Sequence, residues 1–297
     1  MIELRPASRG FGVCEVLGLD PLAPDAPEAA ARLDAALSRH GALVIRFDRK
    51  LALPELEAVA SLFGPIKDPV APTRDGGRLR YSERRQVIDA GFVMTDEVRE
   101  KLGDVRFGGL DDERPGLFET YHTDDTFTAE PARVIVLHAR ALPPSGGGPT
   151  HFLDTRAAYD ALPASRRASL DGLRVRYAHN NAGAFPPRRP ASGPADALEE
   201  VTHPLVRTHP RAGTRALWID LDRAKHVEGL PVDAGRALLQ SLQDHIEKNA
   251  PHCEHDWRDH DVLVWDNASV QHKAGGNFRK GEPRRFWRFM AAPERPV

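Results

Sequence analysis

Short apolar runs separated by turn-forming residues most constrain how this chain can fold. The clearest run is ARVIVLHARAL at 132–142, and similar runs occupy 42–47 and 261–267. The 297 residues include 25 prolines and 24 glycines, which interrupt regular elements. Few helical patterns accompany these runs, so the sequence predicts one sandwich or barrel-like β domain with helices packed outside.

Helical periodicity is confined to a few segments. The pattern at 233–250 places Leu238, Leu242 and Ile246 on one stripe, as in an amphipathic helix. Further helices are expected at 25–41, 53–65 and 155–173, the last broken at Pro163. A hairpin is expected at 201–220, with PRAG as its turn.

Two segments have little periodicity. Residues 66–118 are rich in Gly, Arg, Asp and Pro, and residues 181–200 are rich in Pro, Ala and Gly. A long irregular segment is uncommon inside a compact domain unless it is a lid, a binding loop or disordered. We therefore expect an active-site lid or insert at 66–118 and a mobile loop at 181–200. No repeat or shift in composition divides the chain, so residues 1–297 are predicted to form a single domain.

Charge and cysteine content exclude several classes of protein. The net charge of -2 argues against a nucleic-acid partner, because phosphate binding needs a basic excess. The two cysteines, Cys14 and Cys253, are far apart, which fits a reducing compartment. No apolar run approaches the roughly 20 residues of a membrane span, and the first 20 residues lack a signal-peptide pattern. We expect a cytoplasmic protein with no membrane partner.

A histidine and a carboxylate stand two residues apart, at His122 and Asp124. On a strand, residues two apart face the same way. The pair is compatible with a metal site, a proton-transfer pair or a surface ion pair. The neighbouring Asp125 should point to the opposite face, so it is predicted not to be a ligand.

A third ligand is available at His272, which follows an apolar strand and a polar turn. Two histidines and one carboxylate form the facial triad that suits non-haem Fe(II) and leaves positions open. Zinc is the rival metal, since hydrolases also use two histidines and an acid.

The other histidines need no function. A lone histidine is usually exposed or satisfied by local hydrogen bonds, and ten are interpreted in that way: His40, His138, His151, His179, His209, His226, His245, His252, His255 and His260. The role of His203 is left open, because it lies in the predicted hairpin.

Basic and hydroxyl side chains accompany the triad. If PRRFWRFM at 283–290 is a strand, Arg284 and Arg288 share a face, and a guanidinium binds a carboxylate bidentately. A solvated basic edge strand is the alternative interpretation. Thr150 follows a glycine turn and puts a hydroxyl on a strand that enters the same region.

Four motifs, in this order and spacing, resemble the taurine dioxygenase/TfdA family of Fe(II)- and 2-oxoglutarate-dependent dioxygenases. They are YHTDDTF, GGGPTHFLDTRAAYDAL, THPLVRTHPRAGTRALWID and VLVWDNASVQHKA followed by RRFWR. The resemblance runs from about residue 118 to 290 and is weaker over 1–65. It departs from the family at Tyr121, where many members carry Trp or another residue.

The resemblance implies an α+β, mainly β fold with a double-stranded β-helix (jelly-roll, cupin-like) core and flanking helices. His122, Asp124 and His272 would be the Fe(II) ligands. The carboxylate of Asp124 disfavours halogenation, because halogenases of this broad group lack it.

The resemblance also implies how the co-substrate 2-oxoglutarate is held. Thr150 would contact its carboxylate and Arg284 would pair with its distal carboxylate. Arg288 would reach an anionic substrate group or the co-substrate's other carboxylate. The loop before these arginines is one residue longer than expected, so Arg285 is an alternative to Arg284.

The implied activity uses Fe(II), 2-oxoglutarate and O₂ to hydroxylate, desaturate or oxidatively cleave a small organic substrate, with release of succinate and CO₂. Arg288 and Arg207 favour an anionic substrate, although Tyr81, Phe107 and Phe127 could wall an apolar one. The alternatives are a zinc-dependent hydrolase with the same three ligands and a non-catalytic metal-binding homologue. The expected partner is a small molecule, and a homo-oligomer is compatible with the sequence.

Overall fold

The computed structural model describes residues 2–23, 26–67, 88–93, 120–178, 200–275, 278–279 and 282–297. The described part of the chain is mainly β with some helices. Its strands are β1 (Glu3–Pro6), β2 (Gly12–Leu17), β3 (Gly41–Ile45), β4 (Ile88–Val93), β5 (Ala132–Ala141), β6 (Thr150–Asp154), β7 (Arg174–Tyr177), β8 (Val201–Pro204), β9 (Val206–Thr208), β10 (Arg215–Leu217), β11 (Ala224–Val227), β12 (His252–His255), β13 (Val262–Asp266), β14 (Val270–Ala274) and β15 (Pro283–Pro293). Its helices are α1 (Ala26–His40), α2 (Leu53–Ser61), α3 (Thr155–Asp160), α4 (Ala164–Leu170) and α5 (Val232–Asn249).

The largest sheet has the strand order β1-β2-β3-β13-β5-β15-β4. Neighbouring strands are antiparallel except for β2 and β3, which are parallel. The central strand β13 pairs with β3 and β5, so that Val264 lies opposite both Leu43 and Val136. Every residue of β13 is buried, which explains why its first four residues, Val262 to Trp265, are all apolar rather than alternating with polar ones.

A smaller sheet, β12-β6-β14, faces the largest one. A cluster of buried side chains joins the two sheets: Phe152 and Val270 from the smaller sheet pack with Trp265, Phe286 and Met290 of the larger. This shared core brings β14 close to β13 and β15, the strands that carry most of the predicted site residues. Two further small sheets, β11-β7-β8 and β10-β9, complete the described strands.

Helices cover the outer surfaces. α1 contacts β2, β3 and β13, and it buries Leu33 and Leu37 in the core cluster of the largest sheet. α5 buries Leu239, Leu242 and Ile246, which are spaced as one helical stripe. The side chain of Asp154 caps α3 by accepting hydrogen bonds from the first backbone amides of that helix. No helix in the described ranges is long and apolar enough to cross a membrane.

Most elements agree with the sequence analysis. The helices predicted at 25–41, 53–65, 155–173 and 233–250 are present, and the third is divided around Pro163 as expected. The predicted hairpin is β9 and β10, whereas β8 pairs with β7 instead of joining it. Strands β1, β2, β11 and β14 were not predicted, because each is short and pairs with sequence-distant partners or lacks an apolar run.

The two irregular segments are described only in part. Within 66–118 the structure describes Ile66, Lys67 and β4, and β4 pairs with β15 at the edge of the largest sheet. The remainder of 66–118, and 181–199, lie outside the described residues. The sequence analysis did not predict a strand at 88–93.

Replacement of Leu43 by alanine tests how far stability depends on the core of the largest sheet. Leu43 is fully buried between α1 and the sheet. Leu43→Ala should lower the free energy of unfolding by about 2–5 kcal/mol, since it leaves a cavity as well as removing apolar contacts. Leu22→Ala is the matched control: Leu22 is 64% exposed, and its loss should change the free energy by less than about 0.5 kcal/mol. Urea unfolding followed by circular dichroism measures both, and equal midpoints for the two variants would contradict this assignment of the core.

Candidate metal centre

The two histidines predicted as metal ligands are joined through their backbones. The amide of His122 donates to the carbonyl of His272 at 3.1 Å, and the amide of His272 donates back to the carbonyl of His122 at 3.0 Å. Directly opposed residues of an antiparallel pair project their side chains to the same face. The two imidazole centroids are accordingly 4.3 Å apart.

Asp124 completes a group of three potential ligands. Its Oδ1 lies 3.8 Å from Nε2 of His122, and its Oδ2 lies 3.7 Å from Nε2 of His272. One donor atom from each residue falls within 4.8 Å of the others. Ligands about 2.1 Å from a shared ion stand about 3–4 Å apart, so this spacing fits a divalent metal ion better than direct hydrogen bonds. Two imidazoles and one carboxylate are the donor set of a non-haem iron centre.

Both imidazoles present Nε2 to the centre. Nδ1 of His122 lies 2.9 Å from the carbonyl oxygen of Thr120. Because a carbonyl only accepts, Nδ1 of His122 is the donor in this contact, which leaves Nε2 facing the centre as the candidate ligand atom. Nδ1 of His272 is buried and has no hydrogen-bond partner among the described residues, so the polar neighbours of this ring are on its Nε2 side.

The protonation states of the group suit metal binding. Burial acts to raise the pKa of the Asp124 carboxyl, but the charge of Arg288, with His272 and His122, outweighs it and holds that pKa at about 2. Burial lowers the pKa of His272 to about 3, and the neighbouring His122 adds to this shift. At neutral pH the carboxylate is therefore ionised and His272 is neutral, as ligands must be.

Asn267 fixes the backbone of Asp124. Its Oδ1 accepts from the Asp124 amide at 3.0 Å, and its Nδ2 donates to the Asp124 carbonyl at 2.9 Å and to the Ala132 carbonyl at 2.9 Å. The buried side chain of Asn267 thus forms hydrogen bonds with three backbone groups, as the backbone of a neighbouring strand would. The sequence analysis noted the polar turn that contains Asn267, but it did not assign this role.

The residues before Asn267 support the same centre. The ring of Trp265 packs against His272 with centroids 4.6 Å apart. The carboxylate of Asp266 lies 2.7 Å from Nε2 of His209, and both residues are fully buried. These contacts stabilise the turn between β13 and β14, which contains Asn267 and leads to His272.

Asp125 points away from the centre, in agreement with the sequence analysis. Its Oδ2 accepts from Nζ of Lys67 at 2.5 Å and from the amide of Ala132 at 2.9 Å. Its φ of 66° lies in the left-handed region, which Asp tolerates better than most residues. The conformation turns neighbouring carboxylates to opposite sides, and only Asp124 joins the histidines.

Thr150 and Arg284 are in contact, as the predicted co-substrate site requires. Nε of Arg284 donates to the carbonyl of Gly148 at 3.0 Å, and Nη2 donates to Oγ1 of Thr150 at 3.3 Å. Nε1 of Trp257 also donates to Oγ1 of Thr150, at 3.1 Å. Since that oxygen already accepts two hydrogen bonds, the hydroxyl proton of Thr150 is left to donate to another group. Trp257 was not singled out by the sequence analysis.

Arg284 is a buried cation without a carboxylate partner among the described residues. Burial lowers the pKa of its guanidinium to about 10, so it remains charged at neutral pH. The neighbouring Arg285 is exposed and lies on the other face of β15. A buried charge is costly unless it is paired, and an incoming carboxylate would supply the pair at Arg284.

Arg288 lies on the same face of β15 as Arg284, because the two lie an even number of residues apart along the strand. Its Nη1 donates to Oδ2 of Asp124 at 3.2 Å, whereas its Nε is buried without a hydrogen-bond partner in the described part of the chain. β15 therefore places one cation beside the glycine turn and another beside the carboxylate of Asp124.

Other residues considered in the sequence analysis have structural partners. Arg207 is buried, and its Nη2 donates to Glu294 at 2.5 Å. His203 lies with Nε2 2.8 Å from the Thr128 carbonyl, and burial lowers its pKa to about 4. Neither side chain belongs to the group around Asp124. Tyr81 and Phe107 lie outside the described residues.

Comparison with known proteins gives a family for this arrangement. The model of the family described as "Taurine catabolism dioxygenase TauD, TfdA family" matches residues 3–290. Alpha-ketoglutarate-dependent 2,4-dichlorophenoxyacetate dioxygenase of Cupriavidus pinatubonensis is 34% identical over 221 residues, which cover 73% of this chain and 72% of that protein. Alpha-ketoglutarate-dependent sulfate ester dioxygenase of Pseudomonas putida is 27% identical over 308 residues, covering 100% of this chain and 91% of that protein.

A solved structure has the same fold. The crystal structure of AAD-2 in complex with Mn(II) and N-oxalylglycine superposes with a TM-score of 0.73 at 25% identity, covering 100% of this chain and 99% of that chain. The family match extends over nearly the whole sequence and agrees with the resemblance drawn from its four motifs. Enzymes of this family work with Fe(II), 2-oxoglutarate (alpha-ketoglutarate) and O₂. The chain therefore belongs to the TauD/TfdA family, and it is a 2-oxoglutarate-dependent dioxygenase.

Proposed function

We propose that this dioxygenase oxidises a small anionic organic substrate at a centre held by His122, Asp124 and His272, with release of succinate and CO₂. The observation that carries the proposal is the convergence of these three donors near Arg284, a buried guanidinium that has no carboxylate partner among the described residues. The reaction is hydroxylation, or else desaturation or oxidative cleavage. The carboxylate of Asp124 disfavours halogenation.

The three side chains would hold Fe(II) through Nε2 of each histidine and the Asp124 carboxylate. When bound, the metal supplies the oxidising chemistry together with 2-oxoglutarate and O₂. The protein contributes position and charge: the hydrogen bond of His122 to Thr120 orients one imidazole, and Asn267 holds the backbone that carries the carboxylate.

Arg284 and Thr150 would bind the distal carboxylate of 2-oxoglutarate. The guanidinium is charged and oriented by Gly148, and the Thr150 hydroxyl has a proton to donate. Such charge-assisted hydrogen bonds are about twice as strong as neutral ones. The co-substrate would thereby neutralise a cation that the described part of the protein leaves unpaired.

The anionic character of the substrate rests on Arg288 and on the relatives. Arg288 pairs with Asp124 and has further hydrogen-bonding capacity at its buried Nε. The two relatives compared above act on a dichlorophenoxyacetate, which is a carboxylate, and on sulfate esters. Arg207, considered at first for the same role, is instead neutralised by Glu294 and adds nothing to this argument.

The remaining sequence-based expectations belong to the same proposal. The core would be a double-stranded β-helix of the jelly-roll or cupin type, which the packing of β12-β6-β14 against the largest sheet supports. The chain would form a single domain, with a lid or insert at 66–118 and a mobile loop at 181–200, as their composition indicates. Free Cys14 and Cys253 are compatible with a cytoplasmic enzyme.

The alternatives have less support. A zinc hydrolase would use the same three ligands but would have no need for the buried guanidinium of Arg284 and its contact with Thr150. A non-catalytic homologue would have no reason to keep both this co-substrate site and an intact metal-ligand group.

Removal of one ligand tests the metal centre. Anaerobic addition of Fe(II) and 2-oxoglutarate to the metal-free protein should produce a weak metal-to-ligand charge-transfer band in the visible spectrum. His122→Ala should abolish this band because it removes one of three protein donors. His226→Ala is the matched control, since His226 lies on β11 outside the group, and it should keep the band. A wild-type protein without the band, or an unchanged band in His122→Ala, would refute the assignment.

Paired substitutions on β15 test which arginine binds 2-oxoglutarate. Arg284→Ala should raise the 2-oxoglutarate concentration needed for half-maximal charge-transfer signal by about 30-fold or more, since loss of one partner from a buried charge pair costs about 2 kcal/mol or more. Arg285→Ala should change it less than about fivefold, because an exposed ion pair contributes less than about 1 kcal/mol. The opposite ranking would place Arg285 at the co-substrate.

A substrate screen tests the anionic proposal. Succinate release should be measured with aryloxy acids, sulfonates, sulfate esters, phosphonates and amino acids, each beside an uncharged ester or amide analogue. The anion should exceed its neutral analogue in kcat/KM by about tenfold or more, since one well-placed charged hydrogen bond contributes about 1.5–3 kcal/mol. Equal turnover of the charged and neutral members of the active pair would remove the case for an anionic substrate.

A further inference from the structure

A second group of metal-binding side chains lies on β6 and β12, and it consists of His151, His252 and Glu254. One donor atom from each of the three falls within 4.8 Å of the others. We propose that this group binds a divalent transition-metal ion of the zinc type, at a site separate from the one that holds iron. None of the three residues has a part in the oxygenase chemistry proposed above, and the sequence analysis assigned no function to either histidine.

Strand pairing fixes the positions of the three side chains. β6 and β12 are antiparallel neighbours, with Glu254 directly opposite His151. His252 is two residues from Glu254 on the same strand, so both face the same side. Nδ1 of His151 consequently lies 3.2 Å from Nε2 of His252 and 3.3 Å from Oε2 of Glu254. A shared ion at about 2.0–2.2 Å from each donor needs only small side-chain rotations to fit these separations.

The group lies on the opposite face of β6 from the co-substrate site. Thr150, the residue before His151, turns its hydroxyl towards Arg284 and Trp257. Since side chains alternate along a strand, His151 projects to the other side. The side chains of His151 and Glu254 are 20% and 50% exposed, so an ion from solvent can reach them. The two sites are therefore back to back on one strand.

The chemistry of the group favours zinc over magnesium or calcium. Two imidazoles and one carboxylate provide three protein ligands and leave a fourth position for water, whereas magnesium and calcium prefer oxygen ligands alone. A neighbouring cation is Lys273 of β14, which lies opposite His151 of β6. The ammonium group of Lys273 lies 4.5 Å from the centroid of the Tyr121 ring. This attractive contact holds the lysine charge over the ring.

Zinc uptake by a tag-free, metal-free protein tests this site apart from the iron centre. In a His122→Ala, Asp124→Ala background, which removes the first group, equilibrium dialysis against Zn²⁺ with elemental analysis should find about one ion per chain. Adding His252→Ala or Glu254→Gln should weaken that uptake at least tenfold, since even changes to residues that only orient ligands cost about 10–100-fold in affinity. The visible ligand-field spectrum with Co²⁺ should be lost in the same variants.

Matched controls distinguish this site from general histidine binding. His226→Ala in the same background should keep the full zinc uptake, because His226 lies on β11 outside the group. Far-ultraviolet circular dichroism should be unchanged in all variants, as His252 and Glu254 are exposed. Uptake that is absent in the background, or that is unaffected by both His252→Ala and Glu254→Gln, would overturn the proposal. Loss of the iron centre alone would leave this result unaltered.

Discussion

The candidate active centre depends on one pair of backbone hydrogen bonds, those exchanged by His122 and His272. The two residues come from distant parts of the sequence, and they form an isolated bridge rather than part of a longer strand pairing. This short bridge holds both imidazoles on one face, 4.3 Å apart. The geometry of the centre is thus set by main-chain groups, which cannot rotate away as side chains can. Asn267 extends the same principle to Asp124 by imitating a neighbouring strand with an amide side chain.

The buried arginines of this protein differ in whether a carboxylate within the fold pairs with them. Arg133 donates to Asp34 and Arg207 donates to Glu294, so each of these buried guanidiniums has a carboxylate within the fold. Arg284 is also buried, yet its hydrogen bonds within the described residues go only to a carbonyl and a hydroxyl, and its guanidinium lies over the ring of Phe286. A desolvated cation is stabilised by a matching anion. This contrast among three chemically identical groups supports the proposal that Arg284 binds the carboxylate of the co-substrate.

Patterns local in sequence revealed more of this molecule than patterns that depend on long-range pairing. The spacing of His122 and Asp124 indicated that the two side chains act together, although the strand assumed for them is absent: His122 forms an isolated bridge and Asp124 begins a turn. The apolar runs located β5 and β13. The third ligand was harder to choose, because nothing near His272 distinguishes it from other histidines except the strand and turn before it. The role of Asn267 could not be found, since its partners Asp124 and Ala132 lie far away in sequence. Strand β4 was missed for a related reason, as it is an edge strand without an apolar run.

The position of both site arginines on a single strand has a consequence for how this protein can change. Along β15 the pairing with β5 is interrupted once, between Arg285 and Phe286, where Arg140 is passed over and stacks on Trp287. Beyond that point the register is regular, and Arg288 pairs with Leu137. A slip of one residue would turn Arg284 and Arg288 outward together. An insertion or deletion within 284–288 would therefore displace both cations at once, whereas a substitution can change either one alone.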